Sequence, residues 1–132
     1  MGNRKKGLKH KKSKLAKLNA RYLRLYQSWK KVYCRALEDY VYFTNKGWQH
    51  IQQEKWRTRS EKEERLKLLP IAKKILEITT TIQDKRFQDY HRVPHLHYGF
   101  TAIIGGRKYT VVVIEEKGQI DFLSVFPVTP KD

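Results

Sequence analysis

The first third of the chain places apolar residues at helical intervals. From residue 13 onward they recur at every third or fourth position, at Leu15, Leu18, Tyr22, Leu25, Trp29 and Val32, with Leu37 further on. This spacing gathers the side chains on one stripe of an α-helix and leaves polar residues around the rest of its surface. We predict a helix over residues 13–39 that begins at Ser13, a good N-cap residue, and packs along one side. Residues 1–12 are rich in lysine and are predicted to be disordered.

The middle of the chain changes from a strand pattern to helical ones. Residues 40–44 are β-branched and aromatic, which favours a strand. An Asn-Lys-Gly turn then leads to a helix that carries His50. Next, a capping-box pattern at Ser60 predicts a long helix over residues 60–79. Pro70 lies inside this helix, so we expect two helical pieces, with the proline in the first turn of the second.

The last third of the chain has the alternating and apolar runs that strands show. Residues 79–88 are predicted to be a connection, and residues 91–94 to be extended before a proline. Two-residue turns at 105–106 and 117–118 then separate three runs that favour strands. These runs are residues 96–104, 107–115 and 119–126. The sequence therefore predicts an α+β fold in which N-terminal helices pack on a small antiparallel sheet, a C-terminal three-stranded meander.

Alternation divides the predicted sheet into two faces. If both hairpins have two-residue loops, one face is almost wholly apolar and should receive the helices. This face carries Tyr98, Phe100, Ala102, Ile104, Tyr109, Val111, Val113, Ile120, Phe122, Ser124 and Phe126. The other face carries His97, Thr101, Lys108, Thr110 and Asp121 among apolar neighbours, so polar side chains could converge there. Thr101 would lie opposite Thr110, and a cross-strand threonine hydrogen bond is the simpler interpretation of that pair.

Positive charge is concentrated near the N-terminus. The chain has 132 residues and a net charge of +16, and residues 1–35 contain thirteen of its 29 basic residues and none of its 13 acidic ones. A basic segment beside a nearly balanced domain suggests a polyanionic partner, and each phosphate contact would add salt-sensitive affinity. A tail that aids solubility or binds acidic lipid is the alternative. We divide the chain into a basic N-terminal tail and helix, 1–39, and a compact α+β domain, 40–132.

The residues predicted to hold RNA are basic and lie mainly in the N-terminal segment. They are Lys5, Lys6, Lys11, Lys12, Lys14, Arg21, Arg24, Lys30, Lys31, Lys46 and Arg59. A membrane partner is not expected, because no apolar run approaches the roughly 18–20 residues that span a bilayer. No secretory signal is predicted, and the single cysteine excludes an internal disulfide. We expect a cytoplasmic protein in which Cys34 is a small buried residue rather than a catalytic thiol.

The histidines outside the N-terminal tail are candidates for chemistry. Lys46, His50 and Arg57 share one stripe of their helix, which is either a solvated charged face or part of an active site. His95 and His97 point to the same side of an extended segment, where they could hold a metal or simply lie at the surface. A third ligand is not obvious, so we predict no metal and no cofactor.

Cleavage of RNA without a metal needs the residue types found here. A base takes the proton of the 2′-hydroxyl, an acid protonates the leaving 5′-oxygen, and cations stabilise the charge that builds on the phosphate. Histidine suits both proton transfers near neutral pH, and lysine or arginine suits the phosphate. The candidates are His50, Arg57, His97 and Lys108. DNA lacks the 2′-hydroxyl, so such a site would be specific for RNA.

Three segments carry a resemblance to a known family. They are VYFTNKGWQHI at 41–51, RLKLLPIAKKIL at 65–76 and HYGFTAIIGGRKYTVVVIEEKGQIDFLSVF at 97–126. Their layout resembles the barnase/EndoU/colicin/RelE-like (BECR) nuclease superfamily, above all its phage-associated and toxin branches. The resemblance implies helices followed by an antiparallel sheet and a small metal-independent ribonuclease. Some members are toxins that cut tRNA or mRNA and have an inhibitory partner.

The resemblance also implies roles for particular residues. His50 matches the helix histidine of such branches, and Arg57 or Arg59 a following basic residue. The last strands of the family often supply a polar side chain, for which Thr110 and Ser124 are candidates. The final strand lacks a histidine and no glutamate matches the general base of barnase-like enzymes, which leaves an inactive, binding-only relative open.

Three classes of function follow from the sequence. The first is a metal-independent ribonuclease acting on tRNA, mRNA or ribosome-bound RNA, with an inhibitor or antitoxin protein as a further partner. The second is a non-enzymatic RNA- or DNA-binding module, in which the basic helix holds phosphates and aromatic side chains stack on bases. The stacking candidates are Tyr22, Tyr26, Trp29 and Tyr33. The third is a structural or protein-interaction component of a phage or mobile element.

Overall fold

The structure is a computed structural model that describes residues 2–53 and 58–129, with side chains from residue 14. The helices are α1 (Gly2–Trp29), α2 (Asn45–Gln52), α3 (Arg59–Lys67) and α4 (Leu69–Ile78). The strands are β1 (Lys31–Cys34), β2 (Asp39–Tyr42), β3 (Asp84–Tyr90), β4 (Val93–Ile104), β5 (Arg107–Glu116) and β6 (Gln119–Pro127). Within the described ranges, every helix is too short or too polar to cross a membrane.

The strands form one mixed sheet in the order β1-β2-β6-β5-β4-β3. Strands β3 to β6 make an antiparallel meander, and the β1–β2 hairpin extends the sheet beside β6. β2 runs parallel to β6, with Val41 opposite Ile120 and Tyr42 opposite Asp121. The predicted α+β class is confirmed. The predicted C-terminal three-stranded meander is wrong, because the sheet has six strands and two of them precede α2.

The long N-terminal helix begins and ends earlier than predicted. It starts at Gly2, so Ser13 lies inside it, and it ends at Trp29 rather than at residue 39. Lys30 has a positive φ of 59°, and the chain then alternates exposed and buried side chains along β1. Val32 fits the helical repeat and the strand equally well. The pairing of β1 with β2 decides in favour of the strand, and the spacing of apolar residues cannot show such a contact.

Strand β3 takes up the second half of the segment predicted to be a connection, residues 84–88, and continues to Tyr90. Its sequence, DKRFQDY, is polar and almost entirely exposed. Because β3 lies at the edge of the sheet, burial does not impose an alternating pattern on it. His91 and Arg92, with φ values of 50° and 66°, form the tight turn that leads into β4.

The two helical pieces expected around Pro70 are confirmed as α3 and α4, with Pro70 in the first turn of α4. The capping box is formed by Thr58 and Glu61, just before the predicted start at Ser60. The helices supply buried side chains to the core. From α1 comes Tyr26, with 1% of its surface exposed. The side chains of α3 and α4 that are completely buried are Leu66, Leu69, Ala72, Ile75 and Leu76.

The two faces of the sheet follow the predicted register up to a β-bulge. Thr101 lies opposite Thr110, as predicted. At residues 112–113 the pairing of β5 with β6 shifts by one residue. The bulge reverses the alternation of β6 beyond it, so Val125 enters the core and Ser124 turns to the other side. The prediction that Ser124 faces the helices is therefore wrong. The same prediction for Phe126, two residues further along β6, is wrong for the same reason.

The two faces of the sheet differ in composition. The apolar face carries residues such as Phe100 and Phe122 and packs against the helices. The polar face is the opposite side of the sheet. It carries His97, Thr110, Asp121 and Ser124.

Candidate functional site

A cavity of about 510 Å³ opens on the polar face. Its wall combines side chains from four strands, β3 to β6, and from two helices. They include Arg86 and Tyr90 of β3, His97 of β4, Ser124 of β6, His50 of α2 and Arg65 of α3. Two histidines, two arginines and two hydroxyl groups thus border one space of the size that accepts a small ligand or part of a larger one.

The helix that carries His50 takes the place of a strand beside β6. β2 ends at Tyr42, and α2 packs against the part of β6 that β2 leaves uncovered. Gly47 permits this close approach, because a Cβ there would lie 2.5 Å from the carbonyl oxygen of Phe122 and 2.6 Å from its ring. Ile51 is buried in the core. His50, the preceding residue, lies at the cavity.

The arginines reach the cavity from opposite sides. Arg65 donates from Nη1 to the carbonyl oxygen of Val125 at 2.7 Å. This bond satisfies a backbone group on the uncovered edge of β6 and holds the guanidinium at the cavity wall. Arg86 donates from Nε to Asp84 at 2.7 Å, in an exposed pair on β3. Exposed ion pairs are weak, so Arg86 can exchange this partner for a phosphate.

A backbone hydrogen bond fixes the tautomer of the His97 ring. It is buried, and it lies opposite Arg86 in the pairing of β3 with β4. Its Nδ1 is 2.9 Å from the carbonyl oxygen of His95. Because a carbonyl oxygen can only accept a hydrogen bond, Nδ1 carries the hydrogen and the neutral ring keeps its lone pair on Nε2. His97 is therefore prepared to accept a proton at Nε2.

Lys46, one helical turn before His50, ends between two carboxylates. Its Nζ is 2.7 Å from Oε1 of Glu116 and 2.9 Å from Oδ2 of Asp121. Burial alone would lower the pKa of Lys46, but the hydrogen bonds and charges of the carboxylates outweigh it and raise that pKa. The hydrogen bond from Lys46 and its charge lower the pKa of Glu116. The Lys46 charge is thus compensated within the protein, and the pairs tie α2 to β5 and β6.

Tyr90 connects this ion network to the cavity that it lines. The Nζ of Lys46 is 5.7 Å from the centre of the Tyr90 ring, and the His95 ring lies 5.8 Å away, edge to face. His95 Nε2 is in turn 3.2 Å from Glu116. Burial raises the pKa of Tyr90, so its hydroxyl stays protonated and able to donate at neutral pH.

No family model, curated protein or solved structure gives a significant match to this chain. The chemistry of the cavity is therefore the guide to its function. Among the described residues, no group of three or more histidine, cysteine or acidic side chains could hold a metal ion. The cavity is lined by imidazole groups, which are able to accept or donate a proton, by guanidinium groups and by hydroxyl groups.

The structure places the predicted catalytic residues in different parts of the fold. The two histidines, His50 and His97, share the cavity. Thr110 pairs instead with Thr101, with 3.0 Å between their Oγ1 atoms, which confirms the simpler interpretation of these threonines. Lys108 lies near the β4–β5 turn, in the wall of a separate cavity. Arg57 lies outside the described residues.

The residues predicted to hold RNA fall into three groups. Lys46 belongs to the ion network. The side chains of Lys5, Lys6, Lys11 and Lys12 lie outside the described part of the chain. Those that are exposed, and so accessible to a polyanion, are Lys14, Arg21, Arg24, Lys30, Lys31 and Arg59.

The cavity residues that were not predicted from the sequence include Arg65, Arg86 and Tyr90. Arg86 and Tyr90 belong to β3, whose exposed edge position hides its strand character. Arg65 begins a segment of the family resemblance, but a basic residue on an amphipathic helix is ordinarily solvated. By contrast, the interpretation of Cys34 is confirmed: it is completely buried, and burial raises the pKa of its thiol.

The lowered pKa of Glu116 gives an expected pH dependence. The folded-state pKa lies below the ordinary glutamate value of about 4.3, so the Glu116 interactions stabilise the fold above that value. They are lost as the pH falls through the lower, folded-state pKa. We therefore expect Glu116→Gln to be less stable than the wild type at neutral pH and to approach it in acid, as urea unfolding at a series of pH values would show. A stability difference that stays constant into acid would contradict this assignment.

Proposed function

We propose that the chain is a metal-independent ribonuclease that cleaves RNA through its 2′-hydroxyl. The observation that supports this is the cavity of the polar face, where His50 and His97 share a wall with Arg65 and Arg86. Two histidines supply a proton acceptor and a proton donor near neutral pH, and guanidinium groups suit the charge of a pentacoordinate phosphorane. The resemblance to the BECR superfamily agrees with this chemistry.

In the proposed reaction His97 acts as the base and His50 as the acid. Nε2 of neutral His97 accepts the proton of the 2′-hydroxyl while the 2′-oxygen bonds to phosphorus. Protonated His50 gives its proton to the 5′-oxygen as the bond from that oxygen to phosphorus breaks. The products are a 2′,3′-cyclic phosphate and a free 5′-hydroxyl. Arg65 and Arg86 offset the charge of the phosphorane, and the hydroxyl of Ser124 can donate to its oxygens.

The substrate we propose is cytoplasmic RNA, whether tRNA, mRNA or ribosome-bound. Four exposed basic residues of α1, Lys14, Lys17, Arg21 and Arg24, would hold the phosphates that flank the cleaved bond. A ribonuclease of this kind, toxin-like or associated with a phage or mobile element, would need an inhibitor protein in its own cell. The free, buried Cys34 agrees with a reducing compartment.

The test is cleavage of RNA in the presence of a chelator. The purified chain is incubated with total RNA and EDTA over a wide pH range, and the ends of the products are mapped. We expect discrete fragments ending in 2′,3′-cyclic phosphate, and an RNA that carries 2′-O-methyl groups should stay intact because its nucleophile is blocked. Intact natural RNA at every pH, or cleavage that EDTA abolishes, would contradict the proposal.

The second candidate is a non-enzymatic nucleic-acid-binding module, which the exposed basic residues of α1 favour. The same samples distinguish it from the ribonuclease. A pure binder leaves the RNA intact yet retards it in a gel, and its affinity falls steeply with salt because phosphate contacts release counterions. Deletion of residues 1–35 is unsuitable as a test, because it would remove β1 and the buried Tyr26.

A further inference from the structure

The β1–β2 hairpin presents two tyrosine rings to solvent. Tyr33 and Tyr40 lie opposite each other in the hairpin, and 47% and 42% of their surfaces are exposed. Their rings meet edge to face, with 5.4 Å between the centres. The Nζ of Lys31 lies 4.4 Å from the centre of the Tyr40 ring. We call these three residues the tyrosine surface.

The strand register puts the tyrosine surface on the polar face. Tyr42 lies opposite Asp121, whose side chain is on that face. Tyr40 is two residues from Tyr42 on the same strand, so both point to the same side of the sheet. Tyr33 follows as the partner of Tyr40. The tyrosine surface and the cavity therefore belong to one continuous side of the molecule.

The two features are separated by more than one nucleotide. Tyr40 lies at the level of Gln119, and between the β5 partners of Gln119 and Ser124 the sheet rises four residues, so with one strand across the separation is roughly 14 Å by ideal strand geometry. The surface between them carries Glu116 and Asp121, which share the single positive charge of Lys46. A dinucleotide in the cavity cannot reach the tyrosines, whereas a longer single strand can touch both.

The other aromatic side chains of this region are not accessible in the same way. Tyr26 is 1% exposed, and Tyr22 and Trp29 pack against the core. Of the four aromatic residues considered from the sequence as stacking partners for bases, only Tyr33 is more than a third exposed. Tyr40 was not considered from the sequence, because only the pairing of β1 with β2 brings its ring beside that of Tyr33.

We propose that the tyrosine surface stacks unpaired bases of a single-stranded RNA whose cleaved phosphate lies in the cavity. The inference rests on the proposed function and names its substrate class: unpaired RNA long enough to cross the polar face. Every base has a π face, so stacking on tyrosine tolerates any sequence. Lys31, with the exposed Lys30 before it, supplies positive charge for the RNA backbone.

The test measures binding of an RNA that cannot be cleaved. The probe is a fluorescent, unstructured 2′-O-methyl oligonucleotide of about 12 nucleotides, and the full chain is titrated into it. The variant is Tyr33→Thr with Tyr40→Thr, because threonine keeps the strand preference and removes the rings. We expect affinity to fall about 10-fold or more. The double variant Tyr33→Phe with Tyr40→Phe should keep its affinity, since stacking needs the ring and not the hydroxyl.

A matched control is Phe87→Thr, which removes a ring that is 74% exposed on β3, at the opposite edge of the sheet. Its affinity should equal that of the wild type. Cleavage of a dinucleotide should also be unchanged in the threonine double variant, because that substrate reaches only the cavity. This assay tests the ribonuclease separately, so failure of the chemistry and failure of the stacking site give different results.

Equal affinity of the wild type and the threonine double variant for the oligonucleotide would overturn the proposal. If the oligomeric state of that variant also changed, the tyrosine surface would be assigned to a second copy of the chain at the edge of β1. Thermal unfolding of each variant confirms that an altered affinity does not come from an altered fold.

Discussion

Replacing His50 with alanine is expected to lower the rate of RNA cleavage about 10²- to 10⁴-fold, the usual contribution of a general acid or base. The ring lies at the wall of a cavity that also holds His97 and two arginines, so its loss removes the proposed proton donor for the 5′-oxygen. Alanine is the best helix-forming residue, so α2 should persist. Single-turnover cleavage of a defined RNA in EDTA measures the loss, and circular dichroism confirms the fold.

The matched control for His50→Ala is Gln49→Ala, at the exposed neighbouring position of the same helix. It should cleave like the wild type. The pH profile adds a second readout: an acid and a base give a bell-shaped dependence in the wild type, and the limb that belongs to the acid should disappear in His50→Ala. Cleavage by His50→Ala at the wild-type rate would show that His50 takes no part in the reaction and that its side of α2 is a solvated helix face.

The features that sequence predicts correctly are those set by local signals. Pro70 divides two helices because its ring cannot continue the first, and Gly105 and Gly106 turn β4 into β5 because both have positive φ. The pairing of Thr101 with Thr110 then follows from the length of that turn. Each of these outcomes depends on a few neighbouring residues, which is what a pattern can record.

The errors come from contacts between distant parts of the chain. β1 exists because it pairs with β2, and β3 exists because it pairs with β4. The alternation of β1 covers only four residues, and β3 is exposed almost throughout, so neither is recognisable from the sequence. The bulge at residues 112–113 cannot be predicted from alternation, because it consists of a break in it. That break is what moves Ser124 from the apolar face to the cavity.

The candidate site shows the same division. Helical geometry alone placed Lys46 and His50 on one side of α2, and the structure agrees. Helical geometry could not show that Lys46 contacts Glu116, 70 residues further along the chain. This contact compensates the charge of Lys46, which is then not available to bind RNA. The role that the structure supports for Lys46 is to hold α2, and with it His50, against the polar face.

Replacing Lys46 with methionine is therefore expected to destabilise the fold by about 3 kcal/mol, because removing one partner of a buried ion pair leaves the other charge uncompensated. The Asp121 side chain is only 6% exposed and that of Lys46 15%, so solvent cannot replace the lost ammonium. Urea unfolding at neutral pH measures the change. Cleavage should fall as well, since α2 loses its attachment one turn before His50.

The matched control is Lys73→Met. Lys73 and Glu77 also make a 2.7 Å pair, but their side chains are 32% and 45% exposed, so the loss should be about 0.3–0.5 kcal/mol. Adding Asp121→Asn to Lys46→Met removes the stranded charge and should restore part of the stability, a coupling that a double-mutant cycle measures. Equal costs for Lys46→Met and Lys73→Met, with no coupling to Asp121, would mean that the Lys46 pairs do not hold α2 in place.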